Sequence, residues 1–167
     1  MYNVSEDIGG SVKDYQYFLY PFKGYSLVDT SIYQELAKYL AKLIPKDTEI
    51  ILTIEADGIG IATLVAAELS LPLIICKQHY YNTPCIEFEQ KTGYYSRKMY
   101  MPKLVRDKKI SIVDCIISTG NTVKTMIDKV EELRGEVLGV YCLVNKKNYH
   151  NNEKENELYD HPYGYIF

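Results

Sequence analysis

The stretch Lys109-Ile-Ser-Ile-Val-Asp114-Cys-Ile-Ile-Ser118-Thr-Gly120-Asn-Thr122 constrains this chain most. Its first half is an apolar, β-branched run bounded by charge, which predicts a buried strand over 110–115. Beyond it, Val123, Met126, Ile127, Val130 and Leu133 recur at helical spacing up to Gly135, predicting a helix. A short loop of small hydroxylated residues and a glycine joins the two. Backbone N–H groups at a helix N-terminus, with Ser118, Thr119 and Thr122 hydroxyls beside them, form an anion cradle. Asp114 lies on its rim, placed to meet the hydroxyls or the metal of a phosphorylated ligand. The same spacing also suits a tight turn with a serine or threonine cap.

The rest of the chain reads as strands alternating with helices. A helix is expected from Ser31, with Gln34 as its capping-box partner, Ile32, Leu36, Leu40 and Leu43 as its buried stripe, and Pro45 as its end. Strand Glu49–Ile54, loop Glu55–Gly60 and helix Ala62–Leu69 follow, and then strand Leu73–Lys77. Residues 78–98 lack strong periodicity, and Met99–Met101 suggests a return strand. A strand over Glu136–Val144 and an edge strand over Tyr163–Phe167 complete the series. This alternation implies a mainly parallel α/β sheet with helices on both faces, in which ligands gather at the carboxyl ends of the strands.

With 167 residues, no internal repeat and no dividing linker, the chain is expected to form one domain, 1–167. Within it, 1–28 and 146–167 read as hood or edge segments. A net charge of −3 gives no global reason to expect nucleic acid as a partner. No apolar run approaches the roughly 20 residues of a membrane span, and the N-terminus lacks a signal-like core. Cys76, Cys85, Cys115 and Cys142 form no CxxC pair, so reduced thiols in a cytoplasmic protein are expected. The three histidines show no zinc spacing. Gly58-Ile-Gly60 begins a dinucleotide fingerprint, but Thr63 replaces its third glycine.

Asp114-Cys-Ile-Ile-Ser-Thr-Gly-Asn-Thr122 resembles the phosphoribosyl-pyrophosphate (PRPP) signature of type I phosphoribosyltransferases. Tyr17-Phe-Leu-Tyr-Pro21, Thr53-Ile-Glu-Ala, Leu71-Pro72 and Lys91-Thr-Gly-Tyr94 occur in the order seen in archaeal hypoxanthine/guanine phosphoribosyltransferases, of the adenine-phosphoribosyltransferase-like branch. The resemblance implies the phosphoribosyltransferase fold, with a small hood from the terminal segments. It also implies transfer of a phosphoribosyl group from PRPP to a purine base in salvage, giving a nucleoside monophosphate and pyrophosphate. Ser118, Thr119, Gly120, Asn121 and Thr122 would hold the 5′-phosphate. Asp114 would be the catalytic residue, facing the ribose or the base side, Mg²⁺ would arrive with PRPP with Asp114 as its candidate protein ligand, and the enzyme would be a homodimer. Glu55, Ala56, Asp57 and Gly58, with Lys77, would form the pyrophosphate side. Tyr95, Ser96 and Arg97 would belong to a flexible loop that closes over the site. Tyrosines of the terminal segments are the expected sandwich for the base.

Two positions depart from that pattern. Cys115 stands where the family has a second acid, and Asp57 occupies a position where purine enzymes often carry a cation. A carboxylate about 4 Å from pyrophosphate would repel it by roughly 4 kcal/mol at an effective dielectric near 20. The residues alone leave bland readings open: Asp57 as a helix cap, Lys77 as a solvated lysine, 91–97 as an exposed hairpin. They also leave open a catalytically impaired protein of this fold that binds or senses a nucleoside monophosphate or PRPP.

Overall fold

In the computed structural model of the chain, residue 27 and residues 29–80, 82–91, 96–145 and 162–166 are described. The elements are α1 (Thr30–Leu43), β1 (Ile50–Ile54), α2 (Gly58–Leu69), β2 (Leu73–Cys76), β3 (Cys85–Lys91), β4 (Ser96–Pro102), β5 (Lys109–Ile117), α3 (Asn121–Glu132), β6 (Glu136–Asn145) and β7 (Tyr163–Tyr165). The main sheet has the order β2-β1-β5-β6-β7, and every neighbouring pair in it is parallel. A parallel sheet needs cover on both faces, and its central strands are accordingly mostly apolar: all five residues of β1, Thr53 included, are buried. Helices α1 and α2 pack on one face, around Leu40, Ile51, Ile61, Val65, Val113 and Leu143. Helix α3 covers the other together with Phe88, Met99 and Met101 of the β3–β4 hairpin. The expected mainly parallel α/β architecture is therefore the observed one, and the C-terminal edge strand is β7. Among the described residues no helix is long and apolar enough to cross a membrane.

Three local expectations are corrected. Helix α1 is capped one turn-entry earlier than expected, by Asp29, whose carboxylate accepts from the Ser31 N–H at 2.9 Å. Its buried residues are Ala37, Leu40 and Ala41; of the expected stripe Leu40 is buried and Leu36 packs partly against the same cluster, while Ile32 and Leu43 are 55% and 39% exposed. The two alanines lie on the face turned into the α2 cluster, where their small size lets the helices come close. Residues 78–98 are not an irregular stretch. Residues 85–91 and 96–98 belong to the antiparallel hairpin β3–β4, paired from Cys85↔Pro102 to Lys91↔Ser96. Alternation does run through it, with Phe88 and Gln90 buried between exposed Glu87 and Glu89. Glutamine at the inward position 90 hides that period from an apolar count.

Residues 1–26 and 146–161, which hold most of the expected hood, lie outside the described residues, as do Tyr17, Tyr95 and the hairpin tip.

Candidate active site

The sheet order reverses between β1 and β5. From β1 the chain passes through α2 to β2 on one side, and from β5 through α3 to β6 on the other. A crevice opens outside the carboxyl ends of adjacent strands at such a switch point. The loops that follow β1 and β5 are residues 55–57 and 118–120, the two short segments the sequence singles out.

The β1–α2 connection is tighter than expected. Helix α2 begins at Gly58, so the loop is Glu55, Ala56 and Asp57 alone. Gly58 is required by close packing: a Cβ there would lie 2.5 Å from Thr53 Oγ1 and 2.8 Å from Asp114 Oδ1. The missing side chain lets the start of α2 sit directly against the two strands. Thr53 is fully buried and its hydroxyl has no hydrogen-bond partner among the described residues. Asp57 occupies the N-cap position but makes no capping hydrogen bond with its side chain, so the capping reading does not hold.

Asp114 lies near the carboxyl end of β5, half-buried, with Oδ1 accepting from the Cys115 N–H at 2.7 Å. Burial drives its pKa up to about 7, the Cys115 N–H opposes that, and the nearby charge of Asp57 adds to it. Cys115 points to the opposite face of the strand, among α1 and α2. Its thiol donates to the Asp57 carbonyl at 2.8 Å and meets the Tyr33 hydroxyl at 3.7 Å. Strand parity thus turns the side chain at the position of the family's second acid away from Asp114. Burial, and then Cys115, push the Tyr33 hydroxyl pKa upward, keeping the phenol protonated. None of the four cysteines forms a disulfide, and burial raises the pKa of Cys76 and Cys142.

Across the crevice, Gly120 takes φ 80°, ψ −8° at the start of α3, a left-handed conformation that glycine adopts without steric cost. The Asn121 N–H donates to Thr119 Oγ1 at 3.4 Å. Thr122, in the first turn of α3, accepts from the Gln90 side-chain amide at 3.1 Å. Residues 118–122 thus form a turn that leads from β5 into the first turn of α3.

The hairpin closes the remaining side. Lys77 and Tyr100 exchange backbone hydrogen bonds of 3.1 and 2.8 Å, docking β4 beside the end of β2. Arg97 is not at an exposed loop tip: its Nε donates to Gln90 Oε1 and its Nη2 to the Glu55 carbonyl, both at 2.7 Å. The Glu55 carboxylate accepts from the Gln78 N–H at 2.7 Å. Ser96 is exposed and donates to Glu89. Glu55, Asp57, Asp114, Thr122, Gln78 and Arg97 thus come together around one crevice. Gln90 and Thr53 are the neighbours that sequence reasoning missed; a buried glutamine in a hairpin and a threonine in an apolar strand carry no local signal.

Relatives bear on this arrangement. The sequence pattern of the family described as "Phosphoribosyl transferase domain" matches residues 27–165. The chain is 30% identical over 135 residues to the hypoxanthine/guanine phosphoribosyltransferase of Methanosarcina acetivorans, covering 80% of this chain and 71% of that one. It is 31% identical over 149 residues to the protein of that name in Methanothermococcus okinawensis, covering 88% and 81%. Its fold is similar to the crystal structure of adenine phosphoribosyltransferase from Thermoanaerobacter pseudethanolicus, with TM-score 0.70, 19% identity and coverage of 83% and 81%. The Saccharomyces cerevisiae enzyme of that name gives TM-score 0.70 at 18% identity, with the same coverage. Signature stretch, switch-point crevice and family pattern agree, and the chain belongs to the phosphoribosyl transferase domain family.

Proposed function

We propose that this protein is a purine phosphoribosyltransferase of salvage metabolism, transferring the phosphoribosyl group of PRPP to a purine base and releasing pyrophosphate. The observation that carries the reading is the convergence, at the β1/β5 switch point, of the Asp114 carboxyl group with the 118–122 turn and the 55–57 loop. Ser118, Thr119, Gly120, Asn121 and Thr122 hold the 5′-phosphate through helix-terminal N–H groups and hydroxyls. Asp114 addresses the ribose. The 55–58 segment, Lys77 and Arg97 flank the pyrophosphate, and catalysis rests on positioning and charge rather than on a covalent intermediate.

Mg²⁺ enters as part of the substrate, PRPP·Mg²⁺. Among the described residues no group of three or more His, Cys, Asp or Glu side chains could hold a metal ion alone. Magnesium, however, is commonly held by one or two carboxylates together with substrate phosphates and water. Asp114 and Asp57, near enough that the charge of one raises the pKa of the other, fit that donor set. The whole chain works as one domain, as a cytoplasmic homodimer in keeping with the family.

A second reading, a monophosphate- or PRPP-binding protein without turnover, is favoured by Asp57 alone, which adds negative charge on the pyrophosphate side. Cys115 no longer supports it, being turned away.

Calorimetric binding of PRPP with Mg²⁺, compared with IMP, GMP and AMP and followed by turnover with adenine, hypoxanthine and guanine, tests both. Binding of PRPP with turnover of at least one base is expected. Tight monophosphate binding with neither PRPP binding nor turnover would establish the second reading instead.

A further inference from the structure

Gln90, in β3, belongs to neither substrate loop yet touches both sides of the crevice. It is 5% exposed. Its side chain spans from Thr122 Oγ1, at 3.1 Å, to Nε of Arg97, at 2.7 Å, its cross-strand partner on β4. Arg97 in turn holds the Glu55 carbonyl.

The chemistry of the donors fixes the direction of every bond in this chain. A guanidinium has only donors, so the amide oxygen of Gln90 must face Arg97 and its NH₂ must face Thr122. Thr122 Oγ1 is therefore an acceptor toward Gln90, and its own proton is left for a second acceptor. Thr122 stands in the first turn of α3, where a phosphate would sit on the helix N-terminus.

We infer that Gln90 is a positioning residue for the 5′-phosphate: anchored by Arg97, it holds Thr122 in the orientation that donates to a phosphate oxygen. The hairpin thereby serves the phosphate turn directly, through a residue that sequence similarity to the signature stretch does not reach. This inference rests on the phosphoribosyl-transfer reading above.

The discriminating variant is Gln90→Glu. A carboxylate at 90 keeps the contact with Arg97 but presents an acceptor to Thr122, so the threonine proton turns toward it and away from the phosphate. A merely structural Gln90 predicts no such selectivity. Calorimetry with IMP, GMP and AMP, and with the matching nucleosides as phosphate-free probes, reads the difference. Urea unfolding reads the integrity of the fold. For the monophosphates that the wild type binds, Gln90→Glu is expected to weaken affinity about 10-fold or more while leaving nucleoside affinity and the urea midpoint in place. In a Thr122→Val background, where the donor is already gone, Gln90→Glu is expected to have no further effect on monophosphate affinity. Gln90→Met, similar in size and unable to bind either partner, should also lose affinity for the monophosphate selectively.

Unchanged monophosphate affinity in Gln90→Glu, equal losses for nucleoside and monophosphate, or full additivity with Thr122→Val would overturn the inference while leaving the function standing. Wild-type protein that binds neither monophosphates nor PRPP would overturn the phosphoribosyl reading and the inference together.

Discussion

The thiol of Cys115 donates to the backbone carbonyl of Asp57 across 2.8 Å. This contact joins the carboxyl end of β5 to the residue that leads into α2. It holds the backbone of Asp57 from behind, on the face opposite Asp114. Position 115 is therefore a packing position in this chain.

Restoring an acid at that position should harm the protein. Cys115→Asp would place a carboxylate among α1 and α2, facing a carbonyl oxygen, and is expected to cost about 3 kcal/mol or more. Cys115→Ser keeps a donor and should cost about 1 kcal/mol. Urea denaturation of the three proteins checks the ranking. A Cys115→Asp protein as stable as wild type and more active would contradict it.

Gly58→Ala drives a methyl group into Thr53 Oγ1 and Asp114 Oδ1, at 2.5 and 2.8 Å. Overpacking of this kind typically costs about 1–3 kcal/mol, and Asp114 must shift to relieve it. Lower thermal stability together with a loss of PRPP affinity is expected, the first from calorimetric unfolding and the second from titration.

Asp114 should give the protein a distinctive pH dependence. Its folded-state pKa is raised from 3.8 to about 7, so between these values the native state holds a proton that the unfolded chain has released. Stability contributed by this group is present at acid pH and is lost as pH rises through about 7. Asp114→Asn should remove that slope and raise stability at pH 8 relative to wild type, while abolishing turnover. Urea midpoints from pH 5 to 8 in chelator-treated buffer, beside a turnover assay, measure both effects. A wild-type profile with the same slope as the variant would refute the assignment.

Thr53 offers a complementary case. Its hydroxyl is buried without a partner, so Thr53→Val replaces an unsatisfied polar group by an apolar one of the same shape. Such an exchange is neutral or stabilising, by up to about 1–2 kcal/mol. Guanidinium unfolding should place the variant at or above wild type, and a marked loss of stability would count against an unsatisfied hydroxyl.

The sequence by itself determined the alternation of elements, because burial on both faces of a parallel sheet demands mostly apolar runs such as Ile50–Ile54 and Ile110–Val113. It also determined the turn at 118–120, since Ser118-Thr119-Gly120 followed by a helix has a local reason to be what it is, including the positive φ at Gly120. Tertiary structure decided the rest. Whether Asp114 or Cys115 faces α1 and α2 depends on how β5 registers against β1 and β6, and a one-residue change of parity would exchange their roles. Which face of α1 is buried was decided by the fit of Ala37 and Ala41 against α2, not by the larger Ile32 and Leu43. The link from Thr122 through Gln90 and Arg97 to Glu55 joins three segments far apart in sequence, α3, the β3–β4 hairpin and the β1–α2 loop. Local periodicity reports what each segment buries, while these contacts exist only once the sheet, the hairpin and α3 have closed on one another.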